Sequence, residues 1–373
     1  MKFDIPFIKP SFPSEKVVGE DYSKIIESNW FTNFGPFEQS FRQKVEKYIG
    51  NNTHAVTVSN ATMGLDIAIS ALFINDLGKK KVLMPSFTFA AGAEMLIAHG
   101  LEPVFIDIDS DTLQPSFSQA KEYLAENPHE SAGILLCNIF GVGNPDILLW
   151  EELARKHELP IIIDSAAGFG SEYLNGEKIG SRGDCEIFSL HATKPFAVGE
   201  GGLIITKNEE LASRMRELTN FGFNSKKEIG NIGTNAKMQE FNAALGIRQL
   251  EDFDLRLVHR RESLAEYKKR LEPYGLTFQV NDHVSTIPFA SVILPNGISS
   301  EHILGKLHSG SVEARKYYKP LHRESEITRK SDNVHDLTTT NVVYGSILSL
   351  PVHDNMGIEV IDKISSIIIG ELK

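Results

Sequence analysis

The sequence predicts an α/β protein: a large domain built on a mostly parallel sheet with helices on both faces, followed by a smaller α+β domain. Two observations predict the sheet. Short apolar runs alternate with amphipathic helical stretches through the first part of the chain, and strand–helix–strand repeats at this spacing form parallel sheets. Several of the runs, such as GILLC and IIID, are continuously apolar, as strands covered on both faces must be. A third observation predicts the smaller domain. The rhythm changes after the fifth strand, and the length of 373 residues suits one large and one smaller domain.

In order, HAVTVS (54–59) reads as a strand and ATMGLDIAISALF as a helix. KVLMP (81–85) is a strand, and FAAGAEMLIAHG is a helix ending on Gly100. PVFIDID, SAGILLCNIF and LPIIIDSA are strands, separated by the helices FSQAKEYLAEN and LLWEELARKHE. DCEIFSLHATK and GGLIITK then read as two strands around a polar turn, and EELASRMRELTNFG as a helix. From about Lys237 the apolar residues of MQEFNAALGIRQLEDFDLRLVHRRESLAEYKKRL recur at three and four, which predicts one long helix. The boundary is placed inside it, giving a large domain over 1–250 and a small one over 251–373. The latter mixes IPFASVILP (strand), SEHILGKLHSG (helix) and a final helix, EVIDKISSIIIGEL.

Hydrophobic residues make up 41% and charged residues 23%, the balance of a soluble globular protein. The net charge of −11 argues against nucleic acid or an anionic membrane as the main partner. No apolar run reaches membrane-spanning length, and MKFDIPFIKP has no signal-peptide core. Cys137 and Cys185 lie in apolar runs and read as core residues of a protein from a reducing cytoplasm.

Three segments carry candidate chemistry. VSNATMGL (58–65) crosses a strand-to-helix junction, where free N–H groups and the helix dipole suit a phosphate. Plain N-capping by Ser59 or Asn60 is the alternative. In IIIDSAAGFG (161–170), Asp164 closes a very apolar strand, at the end where open α/β sheets bind ligands. A carboxylate there needs a cation, such as a protonated ring nitrogen; a helix cap or a salt bridge would also serve. In FSLHATKPFAVGEGG (188–202), Lys194 follows a strand in a glycine-rich turn. Desolvation there would free its amine for covalent chemistry, whereas a surface lysine would stay charged.

These segments, in this order, resemble the pyridoxal-phosphate (PLP) dependent sugar aminotransferases, which are fold-type-I enzymes. FTNFGPFEQSF (31–41), GTNAKMQEFNAALGIRQLE (233–251), RKYYKPLH (315–322) and LSLPVHDNM (348–356) extend the resemblance nearly end to end. It implies that Lys194 carries PLP covalently and that Asp164 pairs with the pyridine nitrogen. Phe89 would stack on the ring, while Ala61, Thr62 and Ser189 bind the phosphate. Asn235 would reach that phosphate in the neighbouring subunit, which implies a homodimer with shared active sites. His191, Lys237, Tyr317 and His322 are candidate substrate residues; His191 also reads as a hydrogen-bonded wall residue, Tyr317 and His322 equally as packing, and Lys237 equally as a surface lysine at a helix start.

The implied reaction moves an amino group from L-glutamate to a keto-deoxysugar nucleotide. Within the family, GEGG is more similar to enzymes that aminate C4 than to those that aminate C3, and the implied acceptor is a 4-keto-6-deoxyhexose linked to dTDP, with UDP and GDP as alternatives, as in the making of lipopolysaccharide O-antigen sugars. C3 amination, a PLP-dependent sugar dehydratase and a non-catalytic PLP-binding regulator are the rivals. Lysine rather than histidine at 194 favours transamination over dehydration, and no helix-turn-helix or basic patch supports a regulator. No metal is expected. One departure is visible: the family's Gln or His three residues after the aspartate is Ala167 here, with Ser165 or a water as candidate substitutes.

Overall fold

The computed structural model describes residues 3–50, 52–74, 78–333 and 336–372. Among the described residues seven strands lie in the first two thirds of the chain: β1 (His54–Val58), β2 (Lys81–Pro85), β3 (Glu102–Ile106), β4 (Ser131–Cys137), β5 (Ile161–Asp164), β6 (Cys185–Ser189) and β7 (Gly202–Thr206). Four short strands follow: β8 (Thr277–Phe278), β9 (Ala290–Ile293), β10 (Asp332–Asn333) and β11 (Ile347–Leu350). The large sheet has the order β1-β7-β6-β5-β4-β2-β3-β10, and β11-β9-β8 form a separate antiparallel sheet. In the large sheet β7 pairs antiparallel with both β1 and β6, and the other pairings are parallel.

Alternation along the buried strands divides the interior in two. Ile134, Leu136, Ile161 and Ile163 face one core, packed by Phe41 and Val45 of the helix Pro36–Ile49 and by Trp150 of the helix Ile147–His157. Leu135, Ile162 and Ile187 face the other, packed by Leu65 and Ile69 of the helix Ala61–Leu72. A period of two inside continuously apolar strands thus serves helices on both faces. At several strands' carboxyl ends the chain opens into loops that form the rim of one cavity.

The run expected to form one helix is two, Glu240–Leu250 and Phe253–Leu271. The break coincides with Phe253, whose ring lies 4.9 Å from Phe196 and 5.9 Å from Phe169 in the core. Packing of that ring overrides local helical preference. The second helix serves two cores: Phe253 and Leu257 join the large sheet, while Leu264, Tyr267 and Leu271 pack with β9, β11 and the helix Ile358–Gly370. Exchange runs both ways along the chain. Ile5, near the start, pairs with Val312 in this C-terminal core, and β10 adds an edge to the large sheet. Two helices near the start, Glu15–Ser28 and Pro36–Ile49, were not among the elements read from the sequence. Among the described residues no helix is long and apolar enough to cross a membrane.

Candidate active site

A cavity of about 630 Å³ opens at the carboxyl ends of β1, β2, β4, β5 and β6. One wall is the start of the helix Ala61–Leu72, with Ala61 and Thr62 on the cavity. Asn60 caps this helix, its Oδ1 accepting from the N–H of Met63 at 2.9 Å. The capping alternative is therefore realised by Asn60, and the junction also faces the cavity. Ser189 ends β6 on the same wall, and its Oγ accepts from the N–H of His191 at 3.3 Å. Gly202 explains part of the GEGG pattern. A Cβ at that position would lie 2.7 Å from the carbonyl carbon of Asn60 and 2.8 Å from the nitrogen of Ala61. Glycine lets β7 approach the helix start this closely.

Asp164 ends β5 and is 8% exposed. Its Oδ1 accepts from the N–H of Ala166 at 3.0 Å. Burial pushes the carboxyl up from its ordinary value, and the Ala166 N–H and the Lys194 ammonium pull it back. Lys194 lies in the turn after β6, on the same cavity. Among the described residues its Nζ has no hydrogen-bond or ion-pair partner. Burial lowers its proton affinity, and Asp164 opposes that shift. A desolvated amine facing a buried acid is the pairing that readies a lysine for attack on a carbonyl. Cys137 packs against a small core cluster, as expected of a core residue, and also lines the cavity wall, with Thr88 donating to its Sγ at 3.1 Å. Burial raises its thiol far out of the reactive range. Both cysteines are free thiols.

Phe89 is 61% exposed although it lines the cavity, so its ring presents an uncovered apolar face. Tyr318 meets it edge-on at 6.2 Å. Tyr317 also lines the cavity, and its hydroxyl accepts from Arg315 Nη1 at 2.7 Å. His191 lies on the wall, its Nδ1 2.9 Å from Thr193 Oγ1 and its Nε2 3.5 Å from Glu200. Three of the cofactor and substrate residues implied by the resemblance lie off this cavity. His322 is tied to Ser86 Oγ at 2.7 Å and Asn341 Oδ1 at 3.1 Å, a packing arrangement. Asn235 and Lys237 are joined by a 2.7 Å bond from Nζ to Oδ1 on a separate surface, where Lys237 also lies over the ring of Phe221.

Ser165 does not replace the missing Gln or His. It is fully buried, and its hydroxyl donates to Glu186 at 2.7 Å and accepts from Asn138 Nδ2 at 2.8 Å. Residues along a strand alternate between faces, so the position after Asp164 points to the opposite side of the sheet. Sequence reasoning also passed over Glu186 and Arg260. Arg260 reaches the cavity wall but is consumed: it pairs with Asp354 at 2.6 Å and donates to the carbonyls of Ile287, Pro288 and Val352. The signal for Glu186 was present, as a charged residue between apolar neighbours in a strand covered on both faces.

The cavity offers a buried acid, an unpaired amine, a helix start and an exposed aromatic face. These are complementary to a flat, phosphorylated, protonated heterocycle bearing an aldehyde, and the fold around them is that of an aminotransferase. The chain belongs to the DegT/DnrJ/EryC1/StrS aminotransferase family, whose model matches residues 15–369. It is 43% identical to protein MT3510 of Mycobacterium tuberculosis (strain CDC 1551 / Oshkosh) over 355 residues, 94% of this chain and 86% of that one. It is 29% identical to the dTDP-4-amino-4,6-dideoxy-D-glucose transaminase of Shigella dysenteriae, over 94% of this chain and 95% of the relative. Its fold matches the crystal structure of a putative PLP-dependent aminotransferase from Bacillus cereus ATCC 10987. That match has a TM-score of 0.91 at 32% identity and covers 97% and 99% of the two chains.

Proposed function

We propose that the protein is a PLP-dependent aminotransferase acting on a nucleotide-linked keto-deoxysugar, with L-glutamate as donor and C4 of a dTDP-linked 4-keto-6-deoxyhexose as the acceptor carbon. The observation that carries this reading is the sharing of one cavity by buried Asp164 and unpaired Lys194. The substrate class is supported by the Shigella relative, whose name is that of a dTDP-sugar transaminase.

Bound PLP supplies an electron-accepting ring for both halves of the transfer. Asp164 holds the proton on the ring nitrogen. Lys194 would hold the cofactor covalently and, with its amine free, would move a proton at the donor's Cα. Ala61, Thr62 and Ser189 grip the phosphate, Phe89 covers the ring, and His191 and Tyr317 contact the sugar. Asp164 at one end of the cavity and Ala61, Thr62 and Ser189 at the other would orient the cofactor relative to Lys194.

The active unit is a homodimer. An apolar surface supports this: Phe221, Phe223 and Ile229, with Ile232 at 87% exposure, flank the segment bearing Asn235 and Lys237. Exposed apolar area of this kind marks an association surface. Asn235 would then reach the partner subunit's phosphate site.

The test is incubation with PLP, L-glutamate and dTDP-4-keto-6-deoxyglucose, followed by mass spectrometry. The expected products are a 4-amino sugar nucleotide and 2-oxoglutarate in equal amounts. A product lacking a hydroxyl, with no amine gained, would indicate a dehydratase. A bound cofactor with no turnover of any keto-sugar nucleotide would indicate a regulator.

A further inference from the structure

Glu186 lies in the middle of β6, opposite Ile163 of β5, and is wholly buried. Asp164 pairs in register with Ile187, so the two acids point to opposite faces of the sheet. An ionised carboxyl in that interior requires hydrogen bonds. Glu186 has five donors. Its Oε1 accepts from the N–H of Gly180 at 2.7 Å, the N–H of Arg182 at 3.0 Å and the hydroxyl of Tyr173 at 3.1 Å. Its Oε2 accepts from Ser165 Oγ at 2.7 Å and, more weakly, from Asn138 Nδ2 at 3.4 Å.

Two of these donors flank Asp164. Ser165 is the next residue in the chain. Asn138 follows β4, and its backbone N–H donates to the Asp164 carbonyl at 2.9 Å. Asn138 in turn donates from Nδ2 to Ser165 Oγ at 2.8 Å and accepts from the N–H of Asn144 at 2.9 Å. The bonds run in one direction, from Asn138 through Ser165 to Glu186. A glutamine at 186 would set an amide N–H₂ or a single acceptor against donors that all point inward.

We propose that Glu186 is a positioning residue for the cofactor floor: from the far face of the sheet it fixes, through Ser165 and Asn138, the turn that aims Asp164 into the cavity. Three of the five donors, from Tyr173, Gly180 and Arg182, tie Glu186 to the segment that follows β5, and the other two come from the residues that hold Asp164 by its carbonyl and by its chain neighbour. An apolar side chain here would leave all five donors buried without this acceptor. The proposal rests on the reading of Asp164 as the ring-nitrogen partner.

The test is a double-mutant cycle on the holoenzyme, comparing Glu186→Gln, Asp164→Asn and the pair. Each is read by the PLP dissociation constant and the position of the cofactor's visible absorption band. Glu186→Gln is expected to weaken PLP binding about tenfold and to shift the band, in a protein with an unchanged far-ultraviolet circular dichroism spectrum. In the Asp164→Asn background it is expected to add almost nothing, because the group it positions is gone. Full additivity in the cycle would overturn the proposal, as would a wild-type band and affinity in Glu186→Gln. Should that variant fail to fold, Ser165→Ala cuts the same link, with the same expected loss and the same refutation. An Asp164→Asn variant that itself keeps the wild-type band and affinity would sink the ring-nitrogen reading, and the proposal with it.

Discussion

Replacing Gly202 with alanine tests whether the GEGG turn shapes the phosphate end of the cavity. The new Cβ would meet three backbone atoms: the carbonyl carbon of Asn60 at 2.7 Å, the nitrogen of Ala61 at 2.8 Å and the oxygen of Asn60 at 2.9 Å. Carbon atoms in contact sit about 3.5–4.0 Å apart, so strand and helix start must separate by several tenths of an ångström. Neither side is a flexible side chain that could swing aside. Overpacking of this kind costs about 1–3 kcal/mol. Spent at the helix start, it would weaken PLP binding by roughly five- to 150-fold. The assay is titration of the apoenzyme with PLP, followed by protein fluorescence. Gly19→Ala, where a Cβ meets nothing within 4 Å, is the control. Wild-type affinity in Gly202→Ala would refute the claim that this glycine sets the phosphate cradle.

Lys194→Ala should bind PLP only reversibly and lose transamination by at least a thousandfold, read by single-turnover absorbance with L-glutamate. Burial pushes the Glu186 carboxyl up from 4.5 to about 7. The folded state therefore holds that proton more tightly than the unfolded chain, and stability falls as pH rises between those two values. The loss from pH 5 to pH 8 is roughly 2–3 kcal/mol. Urea unfolding of Glu186→Gln should lack that part of the pH dependence. Ile232→Asp places a charge on the most exposed apolar side chain of the proposed dimer surface, and sedimentation should show monomer at micromolar concentration.

Much of the large sheet was legible because its strands are short, apolar and punctuated. KVLMP matches β2 residue for residue, and IIID is the whole of β5. Asp164 stood out because a charge at the end of a buried strand demands a partner, Lys194 because it sits in a glycine-rich turn inside the FSLHATK resemblance, and the structure brings both to one cavity. Features set by long-range packing were not legible. Phe253 breaks the expected long helix because its ring is drawn into a cluster with Phe169 and Phe196, residues distant in sequence. Ile5 pairs with Val312, a contact that local pattern cannot encode. Ser165 was considered as a cavity residue from its place beside Asp164, and strand alternation turns it to the opposite face. His322 was grouped with the cavity because RKYYKPLH is continuous, yet only part of that loop, Tyr317 and Tyr318 among it, lines the wall.

Everything mechanistic depends on which amine carries the cofactor. Borohydride reduction of the PLP-loaded enzyme, followed by proteolysis and peptide mass mapping, reads that directly. The account predicts one phosphopyridoxyl adduct per chain, on the peptide containing Lys194 and on that residue. An adduct on a different lysine, or none with Lys194 unmodified, would contradict it.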